Sequence, residues 1–317
     1  MRAAALTAFL LTAAPRAPQD VPTFAASVEA VYVDVFVTRD GQPVPGLGAA
    51  DFEVKDNGVK QNVTLAHLEE VPIVAVLVFD ASRSVAGARL EDLRAAGRAL
   101  LAGLRPQDEA ALVTFSHELR VAAPQAGDRS AVERGLDDLE PSGVTALWDG
   151  LYAGLSLPVS RGRPMVVLFT DGQDNVSWLG ADQVLRVAQE SEALVYVVAI
   201  APSEEAAPLP SILQTLTSPR ELPGDRGETQ SSASVGLRAL KRLAEATGGR
   251  LWPAGGSAQL GRTFLRILDE MRARYLLSYD PAGAAREGWH RLEVKVKGHR
   301  GTVRSRSGYF EPPRAKP

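Results

Sequence analysis

Residues 73–84 read Ile73-Val74-Ala75-Val76-Leu77-Val78-Phe79-Asp80-Ala81-Ser82-Arg83-Ser84, an unbroken apolar run that ends in an acid and two serines. A continuous apolar stretch of this length, rich in β-branched residues, predicts a parallel strand buried on both faces. Such a strand needs helices on either side of its sheet, and the neighbouring sequence supplies them. Ala88–Leu104 carries Leu90, Leu93, Leu100, Leu101 and Leu104 at helical spacing. Ala110–Phe115 reads as a second strand and Leu119–Ala123 as a short edge strand. Helices follow at Arg129–Leu139 and Ala146–Leu155, a buried strand at Met165–Thr170, a helix at Ala181–Glu190 and a strand at Leu194–Ile200. Val235–Thr247 is helical, Gly249–Trp252 a last strand and Ala258–Arg274 a closing helix, with Phe264, Leu265, Ile267, Leu268 and Met271 assigned to the core. Strands alternating with helices across residues 71–274 predict an α/β domain with a doubly wound, mostly parallel sheet.

The flanks have a different period. Val28–Val37 alternates apolar and polar residues, as a half-buried strand does. Asp51–Lys55 and Val59–Leu68 follow as strands around the hairpin turn Asp56-Asn57-Gly58. Beyond the α/β region, Tyr275–Tyr279, Trp289–Lys297 and Thr302–Arg306 are again strand-like. Residues 21–70 and 275–317 are each too small to bury a core alone, and they flank a domain whose ends lie close together. They are expected to pair into a small β-sandwich-like domain split in sequence. Within the α/β region, Ala201–Ala233 contains Pro202, Pro208, Pro210, Pro219 and Pro223. It is too long for an ordinary βα loop.

At the amino end, Arg2 precedes an apolar run from Ala3 to Ala14. Such a run makes about 18 Å of helix, too short for a ~30 Å hydrocarbon core, and reads as a secretory signal peptide within residues 1–20. The chain is therefore expected to be exported, to a periplasm or the medium, without a transmembrane anchor once the signal is removed. Lys and Arg total 35 against 38 Asp and Glu, a net charge of −3, which gives no reason to expect nucleic-acid binding. The chain has no cysteine and four scattered histidines, which excludes disulfides, thiolate catalysis and Cys-rich zinc modules and leaves no HExxH zinc site.

Two segments bring oxygen ligands to the carboxyl ends of predicted strands, and a third presents one in a turn before a helix. Asp80, Ser82 and Ser84 leave the first buried strand, Asp171 leaves Met165–Thr170 in Thr170-Asp171-Gly172, and Gly143-Val144-Thr145 presents a hydroxyl before a helix. Open α/β sheets bind ligands at this edge. Hydroxyls and carboxylates without imidazole or thiolate suit a hard cation such as Mg²⁺. Asp108 reads as a turn residue, Asp174 and Asn175 as residues that shape the loop after Asp171, and Asp149 as a support for the helix that follows Thr145.

At these residues the chain resembles the von Willebrand factor type A domain family and its metal-ion-dependent adhesion site, whose pattern is D-x-S-x-S, a later Thr and a later Asp. The resemblance covers residues 71–274. It implies that Ser82, Ser84 and Thr145 touch Mg²⁺ (or Mn²⁺) directly, with Asp80 and Asp171 acting through water or from behind. Val144 stands where the family often has a second glycine. The flanking VDVFVTRDGQPVPGLGAADFEVKDNG and RSGYF are similar to bacterial exported proteins described as VWFA-related. The function this implies is non-enzymatic binding or cell adhesion, with a protein partner offering an Asp or Glu to the metal. The alternatives are a structural or assembly role with a purely stabilising metal, and a Mg²⁺-dependent phosphohydrolase using Asp80. The last needs a second acid two residues on, where this chain has Ser82.

Overall fold

The computed structural model describes residues 30–66, 71–159, 161–200, 232–254, 257–283, 287–298 and 301–311. The export-signal reading at residues 1–20 and almost all of the proline-rich stretch from Ala201 lie outside them. At the centre stands β6 (Ile73–Asp80), every residue of which is buried. It belongs to a six-stranded sheet ordered β11 (Arg250–Ala254), β10 (Leu194–Ile200), β9 (Arg163–Thr170), β6, β7 (Glu109–Phe115), β8 (Leu119–Ala126). All neighbours run parallel except β8, an antiparallel edge strand on β7.

Alternate residues of β6 feed two cores. Ile73, Ala75, Leu77 and Phe79 pack with α1 (Ala88–Gly103), α2 (Ser130–Asp137) and α6 (Ser257–Arg272). Val76 and Val78 pack with α3 (Leu147–Leu155), α4 (Ala181–Glu190) and α5 (Ser232–Thr247). An apolar run without polar alternation is what a strand covered on both faces requires. One core assignment is corrected: Phe264, Ile267, Leu268 and Met271 are buried, but Leu265 is 42% exposed. It falls outside the arc of α6 that faces the sheet.

The flanking segments form two antiparallel sheets. In one, β1 (Val31–Arg39) pairs with β12 (Tyr275–Tyr279), β14 (Thr302–Arg304) and the short β2 (Gln42–Pro43), while β5 (Thr64–Leu65) extends it on β12. In the other the order is β15 (Gly308–Glu311), β13 (Gly288–Val296), β3 (Phe52–Asp56), β4 (Val59–Gln61). Val33, Val35, Phe52, Val54, Leu277 and Leu292 fill the space between them. The turn at Asp56-Asn57-Gly58 closes the β3–β4 hairpin with positive φ at Asn57 and Gly58 (47° and 83°), the combination of a type I′ turn.

The single strand expected at Val59–Leu68 is instead two. Val59–Gln61 pairs with β3 and Thr64–Leu65 with β12, so the chain crosses between sheets at Asn62-Val63. Alternation persists through such a crossing, which conceals the change of partner.

A buried ionic cluster joins the two bodies. Arg274, 1% exposed, donates to Glu270 Oε1 (3.2 Å), Tyr196 OH (3.1 Å) and Gly248 O. Arg304 of β14 reaches the same Glu270 oxygen at 2.6 Å, and Arg163 of β9 pairs with Asp34 of β1. Among the described residues, no helix is long and apolar enough to cross a membrane.

Candidate metal centre

The crossover from β6 through α1 leads to β7 on one side of the sheet, while β9 lies against the other side of β6. This divergence makes a crevice at the carboxyl ends of β6 and β9. Phe79 is in register with Phe169, so Asp80 leaves the sheet level with Thr170 and one step before Asp171. Both acids are shut from solvent, at 0% and 1% exposure, and Ser82 and Thr145 are equally buried. Ser84 is exposed and forms the open side.

The local geometry is set by backbone turns. Ser82 N–H donates to Asp80 Oδ1 at 2.8 Å, and the hydroxyls of Ser82 and Ser84 stand 2.9 Å apart. Asp171 Oδ1 accepts from Gln173 N–H at 3.0 Å. Asp80 Oδ2 is buried and has no hydrogen-bond partner among the described residues. Burial pushes the Asp80 carboxyl up to about 7, against the lowering effect of its Ser82 bonds and with a further push from Asp171. Burial also raises Asp171, which the Gln173 N–H and Arg89 oppose.

Thr145 is carried to this point by a loop tied to both strands. Ser142 N–H donates to Ala81 O (2.8 Å) and Arg83 N–H to Gly143 O (3.3 Å). Gly143 has φ +67°, and a Cβ there would lie 1.9 Å from His117 Nδ1. Only glycine satisfies both the turn and the space. Gly143→Ala is expected to cost about 2 kcal/mol or more in urea unfolding and to displace Thr145. A loss below about 0.5 kcal/mol would show that the loop does not depend on this close approach.

On its other side the Thr145 segment is clamped to the loop after Asp171. Thr145 O accepts from Asn175 N–H (2.8 Å) and Val176 N–H (3.3 Å). Asp174 Oδ1 accepts from Leu147 N–H at 2.9 Å, and Ser177 Oγ from Trp148 N–H at 3.0 Å, which caps the start of α3. Asp149 returns the bond, its two oxygens accepting from Trp178 and Leu179 N–H at 2.9 Å each. Asp149, Asp174 and Asn175 therefore shape the loops. Asp108, 2% exposed, accepts from Ile73 and Arg105 N–H and is a buried brace of the turn.

The structure thus brings Asp80, Ser82, Ser84, Thr145 and Asp171 to one crevice. It adds Arg89, whose Nη1 donates to Ser84 O at 3.0 Å and whose charge acts on Asp171. Nothing in the sequence marks Arg89 among 29 arginines. Among the described residues, no three His, Cys, Asp or Glu side chains cluster as a metal site would need if built from those types alone. This crevice offers two carboxylates and three hydroxyls, a hard-oxygen set. With one buried carboxylate oxygen left without a donor, it fits a cation such as Mg²⁺ or Mn²⁺.

Residues 75–221 match the family model of the von Willebrand factor type A domain. A UPF0353 protein of Mycolicibacterium paratuberculosis is 30% identical over 118 residues, 32% of this chain and 35% of that protein. An uncharacterised protein of Synechocystis sp. is 26% identical over 114 residues, 34% of this chain and 27% of its own length. The chain spans about a third of the length of the curated relatives it matches. Among solved structures, BatB from Bacteroides thetaiotaomicron is similar at 16% identity and TM-score 0.47, over 63% of this chain and 98% of that one. A von Willebrand factor type A protein from Catenulispora acidiphila is similar at 14% and 0.48, over 87% and 76%. The family match over the strands that carry the crevice, with the sheet order built on β6, gives the α/β body a von Willebrand factor type A fold.

Proposed function

We propose that the chain is an exported, non-enzymatic binding protein that docks a protein partner through a divalent cation at the carboxyl ends of β6 and β9. The observation that carries this reading is the Asp80 carboxylate, buried at 0% exposure with Oδ2 unpartnered, beside Ser82, Thr145 and Asp171 and open to solvent through Ser84. An isolated buried carboxylate is costly, and a cation is the group that relieves it. Ser82, Ser84 and Thr145 would hold Mg²⁺ or Mn²⁺ with neutral oxygens, and Asp80 and Asp171 would supply charge from behind. When bound, the cation offers an under-neutralised positive site that an Asp or Glu of the partner completes. Ser82, where a phosphotransferase would need a second acid, supports the non-enzymatic reading.

Thermal unfolding in EDTA, Mg²⁺, Mn²⁺ and Ca²⁺, beside an Asp80→Ala variant, tests the metal centre. A cation at about a hundred times its Kd stabilises the fold by ~2.7 kcal/mol, a rise of several degrees. The rise is expected in the wild type and absent in the variant. No rise with any cation at millimolar concentration, or an equal rise in both proteins, would overturn the assignment.

A further inference from the structure

Trp178 is 94% exposed, the most exposed large hydrophobic residue among those described. Its neighbours along the same rim, Val144 and Val176, are 46% and 44% exposed. An exposed tryptophan on a floppy loop would be unremarked, but this loop is held at each step. Val176 N–H binds Thr145 O, Ser177 Oγ caps α3, and the Trp178 and Leu179 N–H groups both bind Asp149. The bonds fix the backbone, and the indole N–H has no partner among the described residues. Val144 adjoins Thr145, and Val176 is bonded to it, so the apolar rim is continuous with the oxygen crevice. The Ser82–Ser84 segment, tied to Gly143 beside Val144, is basic, with Arg83 exposed between Ser82 and Ser84 and Arg89 bonded to Ser84 O.

We infer that Trp178, with Val144 and Val176, is the apolar anchor of the docking surface around the metal centre. It takes a loop of a partner protein that carries a carboxylate and, beside it, an aromatic or aliphatic side chain. The inference rests on the metal-bridged docking proposed above and adds the chemistry of the partner. Rigid tryptophans at the middle of a contact dominate binding because they bury large area at little cost in ordering. Arg83 and Arg89 at the metal centre favour an acidic segment and disfavour a basic one.

The test pans displayed, disulfide-constrained random peptide loops on the immobilised full chain in Mg²⁺, with elution by EDTA. The expected consensus is an Asp or Glu with an aromatic or aliphatic residue within a few positions. Trp178→Ala is expected to weaken the selected peptides by about 30-fold, and Trp178→Phe to retain most of the affinity. The melting temperature stays put in both, since the loop is held by the Trp178 N–H and not by its ring. Metal-dependent peptides that share only an acid and ignore Trp178→Ala would overturn the anchor and leave the metal reading standing. Peptides that need Trp178 but bind equally in EDTA would keep the anchor and sink the metal bridge. Failure to enrich any peptide, or a dimer in sedimentation velocity that Trp178→Ala dissolves, would overturn the inference.

Discussion

Asp56→Ala is expected to destabilise the protein by about 3–5 kcal/mol, the range for removing one partner of a buried, hydrogen-bonded charge. Asp56 is the last residue of β3 and is 0% exposed, as is His290 of β13. Its Oδ1 lies 2.8 Å from His290 Nδ1, and its Oδ2 accepts from Tyr309 OH at 2.8 Å and Tyr279 OH at 3.0 Å. His290 stacks on Tyr309 with ring centroids 4.5 Å apart. Burial pushes both tyrosines upward, and the adjacent carboxylate adds to it, so they remain donors throughout the accessible pH range. One side chain thus satisfies three donors, from β12, β13 and β15. Alanine would leave Tyr279 OH without its carboxylate, and Tyr309 OH and His290 Nδ1, 3.0 Å apart, with only each other, in an apolar interior where each unmet donor costs about 1–3 kcal/mol before relaxation. Asp56→Asn keeps an acceptor and should lose clearly less. The measurement is urea unfolding followed by hydrogen exchange. The loss of protection should centre on β3, β13 and β15, while β6 and β9 change little. A loss below about 1 kcal/mol would show that the cluster is not what joins the sheets.

The cluster has a topological meaning. Asp56 comes from the amino-terminal segment and its three partners from the carboxyl-terminal one, so the bonds close a body whose halves are separated by the entire α/β domain. The sequence carried the pairing only as an argument about size, since neither flank could bury a core by itself. Which strand meets which depends on contacts more than two hundred residues apart, and local alternation holds no record of them. That is why Val59–Leu68 reads as one strand and is two. The same lack of local signal hides β2, which has two residues including Pro43, and β15, whose Gly308 and Tyr309 show no period.

The α/β body was far more legible. A parallel strand buried on both faces must be apolar throughout, and Ile73–Phe79 satisfies that in seven consecutive residues. Asp80, Ser82, Ser84 and Asp171 were legible for a related reason: they follow such strands directly, so their place at the sheet edge comes with the strand, whereas Thr145 stands before α3 and was read from its turn. The supports were legible only in part. Asp149 and Asp174 could be assigned to loop-shaping, but their reciprocal capping of α3 and of the Trp178 turn is a three-dimensional arrangement. Arg89 and the exposed Trp178 carry no motif. The leucine spacing gives α1, but the aim of Arg89 at Ser84 O and the clamped loop under Trp178 are three-dimensional arrangements that the pattern of hydrophobicity does not resolve.

Asp80→Asn is expected to stabilise the metal-free protein at pH 8 while abolishing its response to Mg²⁺. Burial pushes the folded-state carboxyl up to about 7, from an ordinary carboxylate value of 3.8. A group whose folded value is raised binds more protons folded than unfolded between those two points. Its contribution to stability is therefore fully present below about pH 4, falls as pH rises to about 7, and is level above that. The span corresponds to about 4 kcal/mol, given ~1.4 kcal/mol per unit. Asparagine has no charge to desolvate and can still accept the Ser82 N–H through its oxygen. Its amide would stand where Oδ2 has no partner, which returns about 1–3 kcal/mol. The net gain in EDTA at pH 8 is then on the order of 1–3 kcal/mol, shrinking toward pH 5. With Mg²⁺ the order reverses, because only the wild type keeps the charge that a cation neutralises. Urea unfolding of both proteins at pH 5 and pH 8, with EDTA and with Mg²⁺, reads all of this. A variant less stable than the wild type in EDTA at pH 8 would mean that the buried carboxylate is satisfied without a cation, and the strongest physical reason for placing one there would be gone.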